Sequence, residues 1–153
     1  MSHASLTYHI VFGTYRRQPV IVTEYEKELY RFIYNLLIKR NIYVRRIGGM
    51  PDHIHILCDI PPKYSVAETI KVIKSESSKF LGINRHFPNW IRWARRYGCF
   101  TVDAELREVR KMYIMNQKSH HSTICFVDEY RSLLNQNGFP LDTPVLGDEN
   151  DCE

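Results

Sequence analysis

Pro51-Asp52-His53-Ile54-His55-Ile56-Leu57 is the stretch on which the reading of this 153-residue chain turns. Two histidines flank one aliphatic residue inside a run that alternates and ends apolar. In a β-strand, residues i and i+2 project from the same face. His53 and His55 therefore stand side by side, and Ile54 and Ile56 point the other way, into a core. Two adjacent neutral imidazoles suit one divalent ion. The plain alternative is a pair of strand histidines on a solvated face, since a His-x-His pair is short and recurs by chance.

Outward from this stretch, the elements fall into a simple order. Ile42–Ile47 reads as a strand. The connector Gly48-Gly49-Met50-Pro51-Asp52 is tight and glycine-rich, which predicts a hairpin into a histidine strand over His53–Asp59. Asp52 is either a hydrogen-bond partner for an imidazole or an ordinary turn residue. Upstream, Ser5–Tyr15 is dense in β-branched and aromatic residues and predicts a first strand. Arg16-Arg17-Gln18-Pro19 breaks it, and Thr23-Glu24-Tyr25-Glu26 is a capping box. The helix it opens carries Leu29, Ile33, Leu36 and Leu37 at helical spacing, with Tyr30 and Tyr34 as packing residues.

Downstream, Pro61-Pro62 ends the histidine strand, and Ser65-Val66-Ala67-Glu68 caps a helix running to about Phe80. Val66, Ile70, Ile73 and Phe80 are its expected sheet-facing positions, with Lys71, Lys74 and Lys79 outward. Residues 82–91 are an irregular insertion. Tyr97–Val102 is the last strand, and Asp103 is the expected N-cap of a helix through Tyr113. Leu106, Val109, Met112 and Met115 are that helix's expected packing stripe. A further helix over Phe126–Asn137 stops at Asn137-Gly138. The order βαββαβ plus C-terminal helices is a ferredoxin-like α+β plan with an antiparallel sheet. It puts the two histidines on the face away from the two packing helices.

Composition limits the classes open to the chain. Its length predicts one domain, and 44% hydrophobic with 25% charged residues is ordinary for a globular protein. No apolar run approaches the ~20 residues of a membrane span, and the N-terminus has no secretion-signal pattern. Cys58, Cys99, Cys125 and Cys152 include no C-x-x-C pair, which argues against a cysteine zinc site and predicts reduced thiols in a cytoplasm. The net charge of +4 hides an asymmetry: five of the 17 acidic residues follow Leu141, where there is no Lys or Arg. Residues 1–141 thus read as a strongly basic domain, and 142–153 as an acidic, disordered tail. A basic body fits a nucleic-acid binder, though it also serves solubility.

Three further groups bear on chemistry. Tyr113-Ile114-Met115-Asn116-Gln117 places Tyr113 and Gln117 at i and i+4, on one helical face. A tyrosine hydroxyl is a usable covalent nucleophile, and a Gln oxygen can complete a metal's coordination. Trp90, Trp93 and Tyr97 interleave with Arg92, Arg95 and Arg96, a mixture that binds single strands, although Trp93 reads as core. Lys74, Ser77, Ser78 and Lys79, with Arg16 and Arg17, complete the DNA-binding candidates; the lysines read equally as a solvated face. His120 and His121 are alternative ligands or DNA contacts, and His9 is structural or borders the site.

The His-hydrophobic-His strand together with the Tyr-x-x-x-Gln helix resembles the single-tyrosine HUH transposases of the insertion-sequence (IS-two-hundred-like) and REP-associated families. The likeness runs through Tyr8-His9-Ile10-Val11-Phe12, Gly49–His55, Ser77-Ser78-Lys79-Phe80, Trp93, Tyr113–His121 and Asp128-Glu129-Tyr130. It implies a single-stranded DNA endonuclease and strand transferase. Tyr113 would be the nucleophile that forms a 5′-phosphotyrosine, and His53, His55 and Gln117 would hold Mg²⁺ or Mn²⁺. It also implies recognition of imperfect DNA hairpins. The insertion-sequence branch works as a dimer and the REP-associated branch can be monomeric. The segment through Asp128-Glu129-Tyr130 is closer to the second, and a homodimer is the expectation adopted. The competing classes are a replication initiator or relaxase using the same chemistry, and a non-catalytic ferredoxin-like nucleic-acid-binding module.

Overall fold

The structure is a computed structural model that describes residues 2–120 and 124–145. Its elements are β1 (Thr7–Gly13), α1 (Glu26–Ile38), β2 (Tyr43–Met50), β3 (His53–Asp59), α2 (Val66–Gly82), β4 (Gly98–Thr101), α3 (Arg107–Met115), α4 (Gln117–His120) and α5 (Phe126–Gln136). The four strands form one antiparallel sheet in the order β2-β3-β1-β4, an α+β fold of the expected plan. His121, the side chain of His120 and the acidic residues from 148 on lie outside the described residues.

Both faces of the sheet are covered. On one, Ile10, Phe12, Ile54, Ile56 and Cys58 pack against Leu29, Ile33 and Leu37 of α1 and Ile70, Ile73 and Leu81 of α2. Burying each such aliphatic side chain stabilises by about 1.5–3 kcal/mol. Period-2 alternation sends the intervening residues to the other face, where α3 and α5 lie. There Leu57 meets Val102 and Ile114, and Val11 and Phe100 meet Phe126, Tyr130, Leu133 and Leu134. The histidines share that second face: His55 pairs with Val11 and His53 with Gly13 across the β1–β3 ladder.

Local devices explain the edges. Ser65 caps α2 as expected, its Oγ accepting the Glu68 N–H at 3.0 Å. The Thr23 box opens instead as a 3-10 turn, Thr23–Tyr25, ahead of α1. Gly48 and Gly49 are strand residues rather than turn residues; the hairpin turns on Pro51-Asp52 alone. A register shift between Val44 and Arg46 marks a bulge at Arg45. The bulge aims Arg45 at Asp59, and two bonds of 2.8 and 2.7 Å join them.

Four expectations are corrected. Tyr34 is exposed at 44% rather than packed. The stripe expected to pack α3 faces outward, with Val109 at 63% and Leu106, Met112 and Met115 between 43% and 47%. The helix is rotated because Ile114 packs onto β2 at Gly48, where a Cβ would lie 2.8 Å from the Ile114 carbonyl oxygen. Lys74 is half-buried rather than outward, its Nζ donating to the carbonyls of Ala94 and Arg96 at 2.8 and 2.9 Å. The packed body also runs past residue 141, because Val145 is buried in the cluster with Val11 and Phe100.

Candidate active site

The second face of β3 carries His53 and His55, both fully buried. Asp52, in the hairpin turn, accepts a hydrogen bond from His53 Nδ1–H at 2.7 Å. That bond fixes the proton on Nδ1 and turns the Nε2 lone pair toward the face of the sheet. Two oxygens stand opposite it: Gln117 Oε1 at 3.2 Å and Glu129 Oε1 at 3.4 Å. The amide of Gln117 is oriented by its own NH₂, which donates to Glu129 Oε2 at 3.1 Å. His55 bonds Glu129 Oε1 through Nε2 at 3.0 Å and His9 Nε2 through Nδ1 at 2.8 Å.

Four side-chain atoms able to ligate a metal, His53 Nε2, His55 Nε2, Gln117 Oε1 and Glu129 Oε1, thus converge on one buried spot. A cation is the natural occupant of such a donor set, and a protonated imidazole is the other way to satisfy it. Donor atoms of His53, His55 and Glu129 all lie within 4.8 Å of one another, so these residues fit a divalent ion. Burial would by itself lower the His53 pKa. The Asp52 and Glu129 carboxylates outweigh it and hold the value above normal. Burial, with His55 and Arg110, keeps His9 well below its usual value, so His9 is a neutral partner at the back of the site.

α3 and α4 bring the late residues to this face. Asn116 breaks the helix between them, yet Tyr113 and Gln117 remain on the same side. The Tyr113 ring lies 5.7 Å from that of His55 and 6.1 Å from that of His9. Its hydroxyl is pushed up in pKa by burial and by the Glu129 carboxylate, while Gln117 opposes the shift. Lys118 anchors this end, its Nζ reaching Gly49 O at 2.6 Å and Glu26 at 2.8 Å. Tyr113, Arg110, Asp128 and Glu129 line a cleft of about 550 Å³ between α3 and α5.

Four of the nine expected DNA-binding residues, Lys74, Ser78, Arg92 and Arg95, share a second cleft, which Arg96 does not line. Lys71 and Ser75 line it too, and it measures about 410 Å³ between α2 and the segment leading to β4. Ser77 does not share it. It is fully buried, donates to Ile73 O and accepts from Trp93 Nε1, so it holds the inner tryptophan instead of facing a phosphate. Ser78 accepts from Trp90 Nε1, and Lys79 pairs with Glu76 at the surface. Arg92 and Arg16 both stack on Tyr15, at 4.2 and 5.2 Å, and Arg17 lies 5.4 Å over Phe126. Phe126 in turn stands 4.3 Å from His53. Arginines thus lead from the second cleft to the histidines.

Sequence reasoning missed the part that Glu129 plays in the site, and it placed His9 at the border where the structure finds it. His9 shares its face with His55 by strand pairing, but which strands are neighbours is a tertiary fact. Glu129 lies on a different helix, and no spacing rule connects it to β3.

Residues 2–117 match the family model described as "Transposase IS200 like". Over 120 residues the chain is 30% identical to the transposase for insertion sequence element IS200 of Salmonella typhimurium, covering 72% of this chain and 75% of that protein. It is 23% identical over 117 residues to the ISDra2 transposase TnpA of Deinococcus radiodurans, covering 73% and 84%. The REP-associated tyrosine transposase solved bound to a REP hairpin superposes with a TM-score of 0.60 at 15% identity, covering 94% of this chain and 92% of that one. A transposase structure from Deinococcus radiodurans gives 0.58 at 22%, covering 76% and 95%. At such identities these two are likenesses of fold.

Proposed function

The chain belongs to the IS200-like transposase family, and we propose that it is a metal-dependent single-stranded DNA endonuclease and strand transferase acting through a 5′-phosphotyrosine. One observation carries the reading: in a single chain, Tyr113 stands beside His55 while Gln117 Oε1 faces His53 Nε2 at 3.2 Å. Nucleophile and ion-holding groups are therefore within one phosphodiester's reach of each other. Mg²⁺ or Mn²⁺ on His53, His55 and Gln117 would supply Lewis-acid polarisation of a phosphate oxygen. Tyr113 Oη attacks phosphorus and the P–O3′ bond breaks. The departing 3′-oxygen gains a proton and the phenol loses one. The raised Tyr113 pKa means the phenol reaches this step protonated, so its proton must be drawn off as the bond forms. A 3′-hydroxyl can reverse the attack, which joins strands without an added energy source.

Binding rests on the arginine path. Arg92, Arg16 and Arg17 lead from the cleft holding Lys74, Ser78 and Arg95 toward His53, a route suited to one strand's phosphates. The REP-associated relative was solved on a hairpin, and we extend hairpin recognition to this chain. Residues 1–141, with Val145 packed against them, then act as one domain. A homodimer, where it forms, does not have to lend a tyrosine helix, because the chain's own Tyr113 meets its own histidines.

The test is incubation of the protein with end-labelled single-stranded hairpin DNA and Mn²⁺, followed by denaturing electrophoresis. A covalent adduct is expected, lost in Tyr113→Phe with hairpin affinity retained. A non-catalytic DNA-binding module would give no adduct in any variant.

A further inference from the structure

The donors at the site differ in how the chain delivers them. His53 and His55 are fixed in the central strand β3, paired on both sides. Gln117 is held by the Lys118 tie to Gly49 and Glu26. Glu129 comes from α5, a helix beyond the residues 2–117 that match the family model. α5 docks through Phe126, Tyr130, Leu133 and Leu134 on the face that carries Val11 and Phe100. It therefore adds to the site something the matched region does not contain.

Charge and distance both speak for that addition. Two neutral imidazoles and an amide offer a divalent cation no negative charge, and burying a cation uncompensated is costly. The Glu129 side chain, 1% exposed, is the carboxylate that faces both imidazole Nε2 atoms. An octahedral ion with bonds of about 2.1 Å sets neighbouring donors about 3 Å apart. Glu129 Oε1 already lies 3.0 Å from His55 Nε2 and 3.4 Å from His53 Nε2, and Gln117 Oε1 lies 3.2 Å from His53 Nε2.

We propose that Glu129 is a direct ligand of the ion held by His53, His55 and Gln117, so that the ion latches α5 onto the sheet beside Tyr113. The proposal rests on the metal-dependent reading above and adds a third anchoring element and a negative charge. Gln117 then has two tasks, offering Oε1 to the ion and holding the second Glu129 oxygen with its NH₂. Because α5 also walls the Tyr113 cleft, ion binding firms the floor on which the scissile phosphate would rest.

The test measures Mn²⁺ binding by titration calorimetry and amide hydrogen exchange across residues 126–136, with the whole chain in its unaltered, Glu129→Gln, Glu129→Asp and His55→Ala forms. Glu129→Gln should weaken Mn²⁺ binding by at least about 10- to 100-fold, the loss typical even of groups behind the ligands. It should also remove the slowing of α5 exchange that Mn²⁺ brings. Glu129→Asp keeps the charge one methylene short and should lose less. If Glu129→Gln binds Mn²⁺ as the unaltered chain does while His55→Ala does not, Glu129 is only a partner of the imidazoles, and the proposal falls with the metal site intact. If His55→Ala also binds unchanged, the metal-dependent reading falls with it. Should Glu129→Gln fail to fold, the unaltered chain decides: α5 exchange unmoved by Mn²⁺ overturns the latch.

Discussion

Asp52 shows how one carboxylate can set the chemistry of its neighbour. Its bond to His53 Nδ1 decides which nitrogen is left for an ion. Asp52→Asn should therefore weaken Mn²⁺ binding by roughly 10- to 100-fold while leaving the fold intact, as judged by circular dichroism. Unchanged affinity would mean that the turn residue merely closes the hairpin. At this scale much was legible. The period-2 spacing of His53 and His55 and the helical offset of Tyr113 and Gln117 are local geometry, and Asp52 adjoins His53. Glu129 was not legible, because its place depends on how α5 crosses the sheet. Ser77 misled for a related reason: a serine beside lysines reads as a phosphate ligand, and only packing against Trp93 reveals its other use.

The elements were predictable where one face is plainly apolar, as in α1 and β3. They were not where two stripes compete. α3 offers Leu106, Val109, Met112 and Met115 on one side and Ile114 with Tyr113 on another, and the second stripe wins because Gly48 lets the helix backbone come close. Gly48→Ala should push α3 off β2, costing about 1–3 kcal/mol of stability. It should also lower adduct yield by displacing Tyr113; a full yield at reduced stability would show that the helix adapts. At the far end of β3, Asp59 is clasped by Arg45 and by Thr7 Oγ1 at 2.7 Å. Burial raises its pKa, but Arg45 and Thr7 prevail and hold it below the ordinary value. A folded value below the unfolded one contributes stability above about pH 4 that is lost as pH falls through the folded value. Asp59→Asn should thus lower Tm at neutral pH and flatten the fall of Tm between about pH 5 and 3. Parallel curves for the two proteins would deny the clasp that role.

Over the whole molecule, a basic body and a two-faced sheet divide the work. α1 and α2 cover one face, and α3 to α5 cover the other, which carries the histidines and Tyr113. The charge asymmetry was visible in the sequence, but the path of arginines across Tyr15 and Phe126 required the fold. Replacing Arg92, Arg95 and Arg96 by Ala should weaken hairpin binding and reduce the slope of log affinity against log salt by about 1 for each phosphate no longer neutralised. An unchanged slope would make the patch a solvated surface. Lys74→Ala should instead destabilise the protein, since its Nζ ties α2 to the segment before β4.

The central claim is that Tyr113 is the group that takes the DNA. Its most direct test is tryptic digestion of the Mn²⁺-dependent adduct, with mass spectrometry of the nucleotide-bearing peptide. The account predicts a 5′-phosphate linked to Tyr113 within Met112–Lys118. A nucleotide on any other tyrosine, or no nucleotide on any peptide, would contradict it.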